Sequence, residues 1–152
     1  MTFIEQLARD MKEAMKTGDA FRLSVIRMLS TALQNKAIEK RGRGEQGELT
    51  DEEAIAVLRT EAKKRSYAAS EFEKGGRPEL AEKETREIAV VEAYLPAEAP
   101  DEEIENAVRD AVSRISAGPK DFGRVMGEAM RTLKGRVSGD RVSAVVRRVL
   151  GA

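Results

Sequence analysis

The sequence predicts an all-α fold, with a four-helix N-terminal bundle followed by a small three-helix C-terminal domain. Three observations point there. Charged residues make up 36% of the chain and aromatics only 4%, with Ala, Glu, Arg, Lys and Leu prominent, a mix that favours helices over sheets. Only four prolines occur in 152 residues, which leaves room for long uninterrupted helices. Apolar residues recur every three or four positions along most of the chain, the period of an amphipathic helix.

The elements follow in order. Thr2 and Glu5 have the spacing of a capping box. Behind them Ile4, Leu7, Met11 and Met15 form one stripe, so a first helix is expected over about 2–16. Thr17-Gly18-Asp19 breaks it. A second helix is expected over about 20–40, with Leu23, Ile26, Leu29, Leu33 and Ala37 inward. Arg41 to Leu49 (RGRGEQGEL) is a glycine-rich polar loop. Thr50 and Glu53 repeat the capping pattern ahead of a third helix, about 51–74, with Ala54, Leu58, Ala62 and Phe72 buried. Gly75-Gly76 stops it. Pro78 suits the first turn of a fourth helix, about 78–94, with Leu80, Ile88, Val91 and Leu95 on its apolar side.

Leu95 to Glu103 (LPAEAPDEE) reads as a linker, which places a domain boundary between 1–95 and 96–152. A fifth helix follows over about 101–116, its first turn acidic as the positive end of the helix dipole prefers. Ile104, Val108, Ala111, Val112 and Ile115 point inward. Ala117-Gly118-Pro119 ends it, and a sixth helix spans about 121–134. Gly135 occupies the place of a left-handed cap. The seventh segment, about 140–150, is rich in valine, a mediocre helix former. The spacing of Val142, Val145, Val146 and Val149, and the lack of a partner strand, favour a helix there. A second domain of about 55 residues lies near the lower limit for a self-sufficient core.

Composition narrows the chemistry. The chain has no cysteine and no histidine, so a disulfide framework, a thiolate metal site and the commonest general base are all missing. No serine-nucleophile elbow or phosphate loop occurs. Carboxylate pairs such as Glu52/Glu53 and Glu102/Glu103 suit exposed helix starts better than catalysis. No catalytic residue, metal or cofactor is expected. The N-terminus lacks the continuous apolar core of a signal peptide, and no run approaches the ~18 apolar residues of a membrane span. A cytoplasmic protein without a membrane partner is the expectation.

Charge is balanced in total but not in distribution. Residues 79–110 hold three basic and eleven acidic residues, whereas residues 120–148 hold eight basic and three acidic ones. The basic end includes GRVMGEAMRTLKGRVSGDRV, Gly123 to Val142. Gly123 and Gly127 share a helical face and either let another helix pack closely or admit a phosphate–sugar backbone. Lys134, Arg136 and Arg141 cluster around the Gly135 and Gly139 turn, where the amides opening the last helix add to an anion site. Arg124, Arg131, Lys134, Arg136 and Arg141 are the candidate RNA-binding residues, and Gly123, Gly127, Gly135 and Gly139 the candidate close-approach glycines. Cations on the second and third helices (Arg22, Arg27, Lys36, Lys40, Arg41, Arg59, Lys63, Lys64, Arg65) read first as solvated faces, with Glu61, Glu71 and Glu73 at pairing distance along the third. The few aromatics are scattered, which argues for recognition of a folded RNA by its shape and backbone.

RLSVIRMLSTALQNKAIE (22–39), EAKKRSYAASEF (61–72), EIAVVEAYLP (87–96) and GRVMGEAMRTLKGRVSG (123–139) together resemble the GatB/YqeY family in its stand-alone YqeY-like arrangement. The resemblance implies an all-helical two-domain protein. It implies kinship with the tail of the B subunit of the glutamine-dependent aminoacyl-tRNA amidotransferase, which helps hold tRNA. That tail's Gly-x-Val-Met segment and Lys-Gly-basic turn correspond to Gly123, Val125, Met126, Lys134, Gly135 and Arg136. The catalytic body of the amidotransferase is missing here. The family-level label of carbon–nitrogen ligase with glutamine as donor therefore finds no active site in these residues. Where the tail tends to have a proline after its Lys-Gly turn, this chain has Gly139-Asp140.

The expectation from all of this is a non-catalytic tRNA-binding accessory protein. An adaptor for a synthetase or amidotransferase subunit is the alternative. DNA binding by the last two helices is a third reading, and DRVSAVVRRVL offers few side chains suited to base edges.

Overall fold

The computed structural model describes residues 2–151, and among them all regular structure is helical, in seven helices with no strand. They are α1 (Phe3–Thr17), α2 (Ala20–Gly42), α3 (Asp51–Lys74), α4 (Pro78–Glu92), α5 (Asp101–Ile115), α6 (Phe122–Leu133) and α7 (Gly139–Leu150). The chain divides between Leu95 and Pro96 into two compact units.

The first unit contains α1 to α4. Both capping boxes form: the Thr2 and Thr50 side chains accept from the Glu5 and Glu53 amides at 3.2 Å, and those glutamates accept from the threonine amides at 2.8 Å. Gly18 ends α1 in the left-handed conformation, and Asp19 caps α2 by accepting from the Arg22 amide. Leu7, Val25, Ile26, Leu29, Leu33, Ala54, Leu58, Val91 and Tyr94 form the core. Of the inward positions expected on α2, Leu23 and Ala37 are only half-buried, while Val25 is buried. α3 packs most extensively on α4, across the turn at Gly75-Gly76.

Three charge clusters, built on the buried Arg65 and Glu87, Lys40 and Asp10, tie this unit together. The Arg65 guanidinium donates to Glu87 at 3.1 Å and to Glu61 at 2.9 Å, joining α3 to α4. Lys40 donates to Glu53 at 2.8 Å and to the Glu48 carbonyl at 3.1 Å, which closes the glycine-rich loop between α2 and α3. That bond from Lys40, with the Thr50 amide, holds the Glu53 carboxyl below its usual pKa. The third is built on Asp10 of α1, which accepts from the Tyr94 hydroxyl at 2.7 Å, and from Arg9 at 3.3 Å. Arg22 lies 3.6 Å from the same carboxylate. Burial, with Asp10 beside it, pushes the Tyr94 phenol up to about 12.

The second unit contains α5, α6 and α7 around Ala99, Ile104, Ala107, Val108, Ala111, Val125, Ala129, Leu133, Val137, Val142 and Val146. The valine-rich segment is a helix, because Val142 and Val146 lie one turn apart and both face this core. The end of α6 differs from expectation: Lys134 itself adopts the left-handed cap at φ 49°, and Gly135 follows at φ 73°. Two successive left-handed residues reverse the chain sharply, and only glycine adopts the second without strain.

Candidate functional site

α6 divides its surface between two tasks. Val125, Ala129 and Leu133 are buried in the core, and Met126 and Met130 pack beside them. Gly123 and Gly127 lie on another face and are exposed. A Cβ placed on either would meet no atom of a neighbouring element within 4 Å among the described residues. Among the described residues, then, no helix uses these glycines for close packing. They open onto a groove of about 260 Å³ whose walls are Ile115, Arg124, Glu128 and Arg131. Arg124 lies 3.5 Å from Asp121, which also accepts from the Gly118 amide at 2.8 Å and so fixes the turn into α6. Arg131 and Arg114 both reach Glu128, at 2.7 and 3.4 Å. These guanidiniums are largely in water, where such pairs hold weakly and exchange readily for another anion.

The other candidate cations lie elsewhere. Lys134 is exposed on the turn after α6. Arg136 donates to the Glu103 carboxylate on α5, and the Ala99 amide donates to the Arg136 carbonyl at 2.7 Å. Arg141 donates to Glu98 at 2.9 Å and to Asp101 at 2.7 Å. Arg148 donates to Glu105 at 3.2 Å. The bond to Asp101, with Glu98 beside it, raises the Arg141 pKa above its ordinary value. Much of the basic C-terminal charge therefore meets the acidic start of α5 inside the same unit, fastening the α6–α7 turn to the segment that precedes α5. Gly139 is the first residue of α7, exposed, with open space where a Cβ would stand. The nine candidates thus separate into a groove set (Gly123, Arg124, Gly127, Arg131), a turn set (Lys134, Gly135, Gly139) and two arginines engaged with α5.

In the first unit, several cations of α2 and α3 have partners: Arg22 with Asp10, Lys36 with Glu39, Lys40 with Glu53, Lys64 with Glu61, and Arg65 with Glu61 and Glu87. Two concavities flank them. One, of about 480 Å³, exposes the edge of the Asp10–Arg22–Tyr94 cluster beside Gln6, Ala89, Val90 and Ala93. The other, of about 500 Å³, runs between α2 and α3 over Ala32, Ala56 and Val57, with Lys36 and Lys64 on its walls. The Asp10–Tyr94 contact spans 84 positions, and no local spacing announces it.

The sequence model of the family described as Yqey-like protein matches residues 4–150. Curated relatives carry the name altered inheritance of mitochondria protein 41, mitochondrial. The one from Pyrenophora tritici-repentis is 28% identical over 98% of this chain and 81% of its own length. The one from Candida glabrata is 30% identical over 60% of this chain and 49% of its own length. The one from Lachancea thermotolerans is 32% identical over 60% of this chain and 47% of its own length. These names overturn the expectation of a cytoplasmic protein. The features behind it, no continuous apolar core near the N-terminus and no apolar run long enough for a membrane span, do not separate one aqueous compartment from another. No helix among the described residues is long and apolar enough to cross a membrane.

Proposed function

The chain belongs to the Yqey-like protein family, and from that premise we propose that it is a non-catalytic accessory protein that binds tRNA through the outer face of α6. The observation that carries this reading is the open glycine face: Gly123 and Gly127 let a backbone approach the helix, and Arg124 and Arg131 flank that approach with exposed charge. Guanidiniums so placed suit phosphate oxygens, which fix position without reading sequence. Lys134, exposed at the end of the same helix, extends the cationic line. Arg136 and Arg141 shape the turn through their carboxylate partners and contribute to binding indirectly. No bond-making step is assigned to the chain.

The test is a titration of tRNA over a range of salt concentrations. Each phosphate contact contributes about 0.7–0.9 to the slope of log affinity against log salt. Arg124→Ala/Arg131→Ala is expected to weaken binding and to flatten that slope by about 1 to 2. No binding at low salt, or an unchanged slope in the double variant, overturns the proposal.

Glu128 favours one second reading. A carboxylate in the groove repels phosphate and accepts from protein donors, as in an adaptor that meets a synthetase or amidotransferase subunit. Capture of a protein partner that survives nuclease treatment supports the adaptor, whereas loss of the partner with the RNA supports the first reading.

A further inference from the structure

α3 keeps one face out of the core. Ala54, Ile55, Leu58 and Arg65 are buried, while Lys63, Tyr67, Ser70 and Lys74 are all exposed. These four stand at i, i+4, i+7 and i+11, the spacing that places residues on one side of a helix. Tyr67 is 69% exposed. Each of the other five aromatic residues, Phe3, Phe21, Phe72, Tyr94 and Phe122, is half-buried or buried. The Tyr67 ring lies outside both core clusters, and the exposed positions one turn from it on the helix are Lys63, Lys64, Ser70 and Glu71 rather than large apolar residues.

We propose that this stripe is a second RNA-contact surface, in which the Tyr67 ring stacks on an unpaired base while Lys63 and Lys74 meet the phosphates on either side. The inference rests on the RNA-binding reading and adds to it a single-stranded element of the RNA and a site on the first unit. At about 1.5 Å of rise per residue, Lys63 lies about 6 Å and Lys74 about 10 Å along the helix axis from Tyr67. The ring is thus bracketed by charge along the direction a strand would run. Stacking needs no particular base, because every base offers a π-face. Lys74 lies 3.3 Å from Glu71, and both side chains are exposed, so the pair gives way to a phosphate at little cost. A protein partner would call for an apolar surround to the ring, and here the positions flanking Tyr67 along the stripe are Lys63 and Ser70.

The absence of tryptophan makes the test direct. In a full-length Tyr94→Phe chain, Tyr67 is the single remaining tyrosine, and stacking quenches its fluorescence. Titration with an unstructured oligouridylate is expected to quench that emission. Tyr67→Ala in the otherwise unaltered chain is expected to weaken oligonucleotide binding on the order of tenfold, and Tyr67→Phe to restore it. Because Tyr67 is on the surface, its variants should melt with the parent, which a thermal scan checks. Unchanged oligonucleotide affinity in Tyr67→Ala, with tRNA still bound through α6, overturns the stripe alone. Absence of any RNA binding by the unaltered chain overturns the function reading and the stripe with it. Protection of Tyr67 by a protein but not by RNA also overturns the stripe as an RNA surface.

Discussion

Gly127→Ala separates a packing role from a contact role, because the two predict opposite signs. Gly127 lies inside α6 with an ordinary helical backbone, and a Cβ there meets no atom of a neighbouring element within 4 Å. Glycine in a helix interior is less favourable than alanine by about 1 kcal/mol. With no clash to set against that gain, the substitution is expected to stabilise the second unit by close to that amount, or about 4–8 °C in Tm for a domain of this size. Gly123 lies in the first turn, where the gain is smaller. Meanwhile the new methyl stands on the face over which a phosphate backbone is proposed to approach, so tRNA affinity is expected to fall. Gly127→Leu should weaken binding further without a large loss of stability. Differential scanning calorimetry reads the first quantity and tRNA titration the second. A lower Tm in Gly127→Ala would show that the glycine serves packing. A raised Tm with unaltered tRNA affinity would refute close approach over this face.

Two further outcomes test the ties within the first unit. Tyr94→Phe removes the donor to a buried carboxylate, and bonds to charged groups contribute about 1.5–3 kcal/mol. Arg22 and Arg9 remain near Asp10, so a loss of about 2 kcal/mol in urea unfolding is expected, and a change under about 0.5 would refute a stabilising bond. Burial of the same phenol, with Asp10 beside it, carries a pH signature. The folded phenol titrates at about 12 against about 10 when unfolded, so its stabilisation is complete below pH 10 and is lost as pH rises from 10 to 12. A two-unit shift is about 3 kcal/mol at most, enough to cancel the difference of about 2 kcal/mol between the parent and Tyr94→Phe across that window. Arg65→Ala leaves Glu87 buried without its guanidinium and is expected to destabilise by about 3–5 kcal/mol, while Arg65→Met/Glu87→Leu should recover most of the loss. Chemical denaturation of the two variants checks this, and equal losses would refute the unpaired charge of Glu87 as the origin of the destabilisation.

What could be read in the sequence was local. The two capping boxes, Gly18, the Gly75-Gly76 turn and Pro78 act within a few residues, and each marked a helix end within about two residues of its place. Contacts between distant segments left no such mark. Asp10 looks like any polar residue on an amphipathic helix, and only the fold brings Tyr94 to it. In the sequence Lys40 and Arg65 look like surface cations, because lysine and arginine are rarely buried. Glu53 and Glu87 reach them from 13 and 22 residues away, whereas Glu61, one turn before Arg65, is the partner that the i,i+4 spacing shows.

The same limit explains the C-terminal charge. The sequence shows an acidic segment and a basic segment and invites a separate partner for each. In the folded unit Arg136, Arg141 and Arg148 meet Glu103, Glu98, Asp101 and Glu105, so each segment is in large part the other's partner. A cation held by a carboxylate must give up that partner to bind phosphate, and Arg141 has two to give up. Arg124 and Arg131 also have carboxylate neighbours, yet on the open and exposed side of α6, where exchange is easiest. Counting cations along the chain weights all five candidates equally, whereas geometry ranks them. Under the proposed RNA-binding reading, exposure also adds Tyr67, which the sequence offered only as one scattered aromatic, as a place to test for RNA contact.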